Sequence, residues 1–570
     1  MALARLDCLH HLKIKRYIVA IGGHRPARSN CLGLLRPPLS TKVAGARTAH
    51  VKGIFAVIDL RESGQIHRPK TGRICIGHVA SNGSQSGACM GCKRLCHSGQ
   101  SKFFKHRGFS LDLLHQLLGV IPLERVISEQ RENPVTDFFM PLAQEIGRVR
   151  TSRPIGRVTQ VGSGTLAVTG LQRVAALGDR VTIRCKSSGG GEVVSIGADA
   201  LVVLPDDGME GLSIGTEVAL GGAAVIAPDD SWIGRVIDPL GRPLDGRPLF
   251  PGPVARNLRA DPPAPGQRRR LGPRLSTGKA AFDTVLPIVR GQRIGLFAGS
   301  GVGKSSLLGS FARNLAADLV VIGLVGERGR ELREFTETVL GPEGMARSIV
   351  VTATSDRSPL LRRRCALTAM AVAEHFRDRG LNVLLLMDSV TRFAEAHREI
   401  ALTAGEAASL RGYPPSLQHA IMSLAERAGP GAEGQGDITA IFSVLVAGSD
   451  MEEPVADILR GVLDGHVVMD RRIAERGRYP AIDLLRSVSR SLPWAASDSE
   501  NDLIARTRRL LSAWDRAEMM VQAGLYQKGT DPTVDQAIRL WPALDGFLAE
   551  DAPAGGPEAS FGRLRACLQM

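Results

Sequence analysis

The chain has 570 residues, 44% of them hydrophobic and 23% charged, enough for several cores and ordinary for a globular protein. No apolar run is long enough to cross a bilayer as a helix, which excludes a helical membrane protein. The formal net charge of +15 suggests nucleic acid only until it is located: residues 1–110 hold 19 of 72 Lys+Arg and 3 of 57 Asp+Glu, so they carry +16 and the rest −1.

Residues 1–110 also hold six of nine cysteines and eight of thirteen histidines. Cys89, Cys92, Cys96 and His97 spell CxxCxxxCH, with Cys75 and His78 upstream. Thiolates and imidazoles at close spacing suit tetrahedral zinc. The surrounding residues lack the strand alternation or helical periodicity that would hold such a site, so a disordered extension or an over-extended gene start is expected instead. The apolar run at 17–21 is short and ends in Gly22, Gly23 and His24, which does not make a convincing signal-peptide pattern, so no secretion signal is expected. A cytoplasmic protein with reduced thiols is expected.

Residues 111–152 read as a helical linker: Leu111, Leu113, Leu114, Leu117, Leu118 and Ile121 make an amphipathic set closed by Pro122. Over 153–250 the texture turns to short β-rich runs between glycines (157–161, 166–168, 181–185, 192–196 and 201–204), predicting a small β-barrel. The Pro/Arg-rich stretch 251–274 reads as an interdomain linker. Beyond it, apolar strands at 294–297, 319–325, 349–353, 383–387 and 438–446 alternate with helical segments, the pattern of a parallel sheet covered on both faces. The chain ends in helices over 491–570, where Leu503, Ile504, Leu510, Leu511, Trp514 and Val521 recur at helical spacing and a second helix fits 534–548.

The chemistry enters after the first core strand. Ala298, Gly299, Ser300, Gly301, Val302, Gly303, Lys304, Ser305 and Ser306 form a glycine-rich turn between a strand and a helix. In that geometry consecutive backbone N–H groups and the helix N-terminus cradle phosphate, Lys304 reaches the β- and γ-phosphates, and Ser305 ligates Mg²⁺. The strand at 383–387 leads into Asp388 at the carboxyl edge of the same sheet, where it suits the Mg²⁺ shell. The strand at 319–325 leads into Gly326-Glu327-Arg328, which places Glu327 to orient or deprotonate water and Arg328 to touch the γ-phosphate. ATP and Mg²⁺ are the expected ligands.

A third element, YPAIDLLRSVSR over 479–490, has no role legible from its residues alone. Together with AGSGVGKS, GERGRE and LLLMDS, however, it resembles the signature of the rotary ATP synthase α/β superfamily. The stretch 448–483 and the tail LYQKGTDPTVDQAI over 525–538 resemble its flagellar protein-export branch. The resemblance implies a RecA-like α/β core over 251–490, with mainly parallel sheet, between the barrel and the helical C-terminal domain. It also implies a hexameric ring with nucleotide at subunit interfaces. Arg490 would be the arginine finger reaching the neighbouring subunit, Tyr479 would stack on adenine, and Arg392 would lie near the active site. Implied partners are the export apparatus's regulator, stalk and gate proteins, and exported flagellar proteins with their chaperones, with peripheral contact at the cytoplasmic face of the inner membrane. Ala298 stands where the usual phosphate-loop pattern has Gly. Family members begin with a short partner-binding amphipathic helix, which only 111–150 could supply.

Three other readings share parts of this pattern. An injectisome ATPase has the same motifs and different cargo. A non-catalytic ring subunit would lack Glu327. An RNA-translocating helicase needs bases to stack, and 153–228 contain no aromatic residue; specific nucleic-acid binding is not expected.

Overall fold

The computed structural model describes residues 54–58, 74–78, 152–162, 164–185, 189–446 and 451–569. They fall into two units, divided after Arg131. In the first, strand β1 (Ile54–Ile58) pairs antiparallel with β2 (Ile74–His78), Ile54 opposite His78 and Ile58 opposite Ile74. No strand was expected there, because two five-residue runs separated by polar sequence carry too little periodicity to stand out. Cys75 and His78 fall on β2, whereas Cys89, Cys92, Cys96, His97 and residues 111–151 lie outside the described residues.

The second unit opens with a closed barrel of β3 (Ile155–Gly162), β4 (Thr165–Thr169), β5 (Arg180–Arg184), β6 (Gly189–Ile196), β7 (Leu201–Pro205) and β8 (Glu217–Gly222), in the order β3-β4-β7-β6-β5-β8. Alternation fills it: Val158, Leu166, Val168, Val181, Ile183, Val203 and Val218 point inward and are buried.

The barrel therefore ends near Gly222, short of the expected 250. Strand β9 (Val225–Ile226) pairs with β11 (Arg256–Asn257), and β10 (Val236–Ile237) between them joins the core sheet beside β14. The stretch read as a linker is a strap fastened to the core. Leu258 is buried there, Arg268 bonds Glu426 at 3.2 Å, and Arg269 bonds Asp437 at 2.6 Å.

The core strands are β12 (Arg293–Ala298), β13 (Leu319–Glu327), β14 (Ser348–Thr354), β15 (Val383–Asp388), β16 (Gly429–Pro430), β17 (Asp437–Leu445), β18 (Gly465–Met469) and β19 (Ile482–Ser489). They pair in the order β10-β14-β13-β15-β17-β12-β18-β19, parallel throughout except for the last pair, while β16 lies antiparallel to β17. Strands 465–469 and 482–489 escaped the sequence reading. Both are short, and β19 is an edge strand with exposed Leu485, Arg486 and Val488, so it lacks the continuous apolar run of its neighbours.

Successive residues of each central strand feed two hydrophobic cores. Val320, Ile322, Leu384 and Leu386 face α1 (Lys304–Asn314) and the C-terminal helices, and Val321, Val325, Leu385 and Met387 face α2 (Pro359–Asp378), α3 (Val390–Thr403), α4 (Ser416–Glu426) and α5 (Pro454–Val462). The C-terminal layer holds α6 (Asp498–Gln522), α7 (Pro532–Ala549) and α8 (Gly556–Gln569), one helix more than the periodicity announced. A capping box starts α6: the Glu500 carboxylate accepts from the Ser497 N–H at 2.8 Å, and the Ser497 hydroxyl accepts from the Glu500 N–H.

Candidate active site

Strand β12 ends at Ala298 and α1 begins at Lys304, so the glycine-rich turn spans the gap between them. Gly301 and Gly303 have φ of 79° and 87°, left-handed values that glycine adopts without steric cost. The turn forms one wall of a cleft of about 860 Å³ whose other walls carry Gly326, Glu327, Arg328, Arg392 and Tyr413.

Two carboxylates stand at the carboxyl ends of neighbouring parallel strands, Glu327 closing β13 and Asp388 closing β15. This is the edge of an open α/β sheet at which ligands collect. Asp388 lies one layer below the cleft, 3% exposed, and its Oδ1 accepts hydrogen bonds from the Lys304 ammonium and, at 2.5 Å, from the Ser443 hydroxyl of β17. The Lys304 Nζ is also 3.9 Å from Glu327 Oε1, so one cation is shared between two acids. Burial pushes the Glu327 carboxyl up to about 7, and the negative charge of Asp388 adds to the rise while Lys304 opposes it.

Asp388, Glu327 and the Ser305 hydroxyl present hard oxygen donors next to a phosphate cradle. Among the described residues no cluster of His, Cys, Asp and Glu forms an all-protein metal cage. The donor set suits Mg²⁺, which protein sites typically hold by one or two carboxylates plus substrate phosphates.

The remaining expected residues divide by position. Arg392 lines the cleft, its Nη1 bonded to Glu395 at 2.8 Å. Arg328 stands at the rim, largely exposed and 3.5 Å from Glu331. Tyr479 lies against the phosphate loop: a Cβ placed on Gly303 would be 3.1 Å from its ring, half of whose residue surface stays exposed. Arg490 is not brought to this cleft; it follows β19 and donates to the Arg460 carbonyl at 3.1 Å.

The sequence reading missed Glu395, Arg398, Arg411 and Tyr413, all on the cleft wall. The Arg398 guanidinium sits over the Tyr413 ring at 5.1 Å, and Arg411 adopts a left-handed φ of 52°. Glu395 and Arg398 lie on α3 and Arg411 and Tyr413 in the connection to α4, so no contiguous pattern marks them and only the fold brings them to one wall.

Comparison with known proteins adds the lineage. Residues 278–489 match the model of the ATP synthase alpha/beta family nucleotide-binding domain, and 496–554 match the T3SS EscN ATPase C-terminal domain. The flagellum-specific ATP synthase of Caulobacter vibrioides is 44% identical over 424 residues, 73% of this chain and 96% of that one. The type 3 secretion system ATPase of Xanthomonas euvesicatoria is 41% identical over 72% of this chain and 92% of its own length. The assembled ATPase EscN of enteropathogenic E. coli superposes with a TM-score of 0.68 at 36% identity, covering 72% of this chain and all of EscN. EscN in complex with its central stalk EscO gives 0.66. The chain is therefore an ATP-hydrolysing member of the ATP synthase alpha/beta family, in the branch of the flagellum-specific and type III secretion ATPases.

Proposed function

We propose that this chain hydrolyses Mg·ATP as a homo-oligomeric ring, six-membered by family resemblance, and couples turnover to export of flagellar proteins through a type III apparatus. The observation that carries the reading is one cleft lined by a phosphate loop and the strand-end carboxylate Glu327, with Lys304 shared between Glu327 and the buried strand-end Asp388 beneath it, in a chain 44% identical to a flagellum-specific ATP synthase across nearly that protein's full length. The cytoplasmic face of the inner membrane is its working place, through contacts with stalk, regulator and gate proteins rather than by insertion: no described helix is long and apolar enough to cross a membrane.

Each residue has a task set by its surroundings. The backbone amides of residues 299–304 and the start of α1 bind the phosphates, and Lys304 adds a cation there. Ser305 and Asp388 hold Mg²⁺, which neutralises phosphate charge when bound. Glu327, with a carboxyl poised near neutrality, takes the proton of the attacking water. Arg328 and Arg392 lend positive charge at the rim. Tyr479 offers its exposed ring to adenine. Arg490 lies outside its own cleft and serves the neighbouring protomer's site, so removing it costs about 10³-fold or more in turnover, the range of an arginine finger.

Purified protein should show specific ATPase activity that rises steeply with protein concentration, while Glu327→Gln binds nucleotide without turning it over. In cells, loss of the chain should abolish filament assembly and flagellin secretion. Full activity in an isolated monomer would refute the ring. Normal motility with loss of a virulence-type secreted protein would move the chain to the injectisome reading.

A further inference from the structure

The motif PAIDLLRSVS, mute in the sequence, builds a kinked edge strand. Between the pairs Val468↔Asp483 and His466↔Val488, β19 advances five residues while β18 advances two, so three residues are extra. Bulges re-aim the residues that follow them, and Arg490 follows two positions after this one. The Asp483 Oδ1 accepts from the Leu485 and Arg486 N–H groups at 3.0 and 3.1 Å, and the Ser487 hydroxyl accepts from the Val468 N–H at 2.9 Å.

The carbonyls of the bulge are held from two other elements. Arg508, on α6, donates Nη1 to the Leu484 carbonyl at 3.0 Å and Nη2 to the Ser487 carbonyl at 3.1 Å. His466, on β18, donates its Nε2–H to the Arg486 carbonyl at 3.0 Å, and its ring meets Phe297 of β12 edge-on. Arg508 has no carboxylate partner among the described residues, and burial pushes its guanidinium down. A desolvated cation spent on two carbonyls is costly to keep, and its fork geometry does what a lysine cannot.

The far side of the bulge is fixed to the core. Ser489 donates to the Pro287 carbonyl at 2.7 Å, and the Arg490 N–H donates to the Asp464 carbonyl at 3.0 Å. Only Val488 separates the carbonyl held by the C-terminal layer from the residue held by the core. A displacement of α6 relative to the sheet would pull on the bulge within three residues of Arg490.

We propose that Arg508 and His466 are positioning residues for Arg490: by clamping the 484–487 bulge they set where β19 delivers that guanidinium, and through Arg508 the C-terminal helical layer controls it. The inference rests on the reading of Arg490 as a residue that acts on the neighbouring protomer.

Subunit mixing tests it. Arg508→Gln should lower kcat by about 10- to 100-fold, the scale of an ångström-sized misplacement, with KM changed less than about twofold. Arg508→Lys keeps the charge but not the fork and should remain as impaired, and His466→Gln, which can retain a donor, should keep more activity than His466→Ala. Thermal melts confirm that each variant is folded. Lys304→Ala protomers have a dead cleft but an intact Arg490. Mixed with Arg508→Gln protomers, they should restore turnover at the interfaces where an intact Arg490 faces an intact cleft, as they should with Arg490→Ala. If Arg490→Ala is complemented and Arg508→Gln is not, the positioning role is refuted. If Arg490→Ala is not complemented, the trans reading of Arg490 fails and this inference with it.

Discussion

The Lys304–Asp388 contact makes a double demand on one lysine, and charge balance separates the two. Asp388 and Lys304 have side chains 4% and 12% exposed, and the ammonium is the carboxylate's main counter-charge. Lys304→Met leaves a buried carboxylate with the Ser443 hydroxyl at 2.5 Å as its remaining neutral donor. Breaking a buried pair by removing one partner costs about 3–5 kcal/mol, and the retained Ser443 bond places this case near the lower end, about 3 kcal/mol. Adding Asp388→Asn removes the orphan charge and leaves an amide that Ser443 can still engage, so most of that loss should return. The assay is urea unfolding without nucleotide, since a ligand bound to the native state would shift the midpoint by mass action. The single variant should unfold at lower urea than wild type, the double variant should recover, and both should be inactive. A double variant no more stable than Lys304→Met would refute the reasoning, because the cost would then not come from an unpaired Asp388.

Glu327 gives a pH signature. Its folded carboxyl is raised to about 7 from an ordinary value of 4.5, so the folded state holds the proton more tightly than the unfolded chain does. That contribution to stability is fully present below about 4.5 and lost as pH rises through about 7. Glu327→Gln should therefore gain stability relative to wild type as pH rises from about 5 to about 8, on the order of a few kcal/mol at the upper end, read from paired melting curves. Because kcat/KM reports groups of the free enzyme, it should climb with a midpoint near 7 in wild type; a flat profile over that range would remove Glu327 as the base. Away from the cleft, Arg427 and Glu374 form a pair 2% and 3% exposed, and Arg427 also donates to the Leu258 carbonyl of the strap at 2.7 Å. Glu374→Ala should cost about 3–5 kcal/mol by stranding the guanidinium, while kcat per folded ring stays within about twofold; denaturation and active-site-normalised turnover check both.

What the sequence by itself determined is whatever is written in contiguous residues. The phosphate loop was legible because its glycines, Lys304 and Ser305 are adjacent and must be, since consecutive amides make the cradle. Glu327 and Asp388 were legible because each ends an apolar run, and parallel strands bring their carboxyl ends to one edge. The barrel strands showed through alternation. Tertiary structure decided the rest, where partners lie far apart in the chain. The sharing of Lys304 between two acids 61 residues apart, and the burial that holds the Glu327 carboxyl near neutrality against that lysine, are encoded in no local pattern. The strap over 251–274 read as a linker because composition reports proline and arginine, not the acids of other elements that those arginines meet. The motif at 479–490 was silent for the same reason: Asp483 and Ser487 shape a bulge only when β18 lies beside it and Arg508 reaches in from a helix folded back across the sheet.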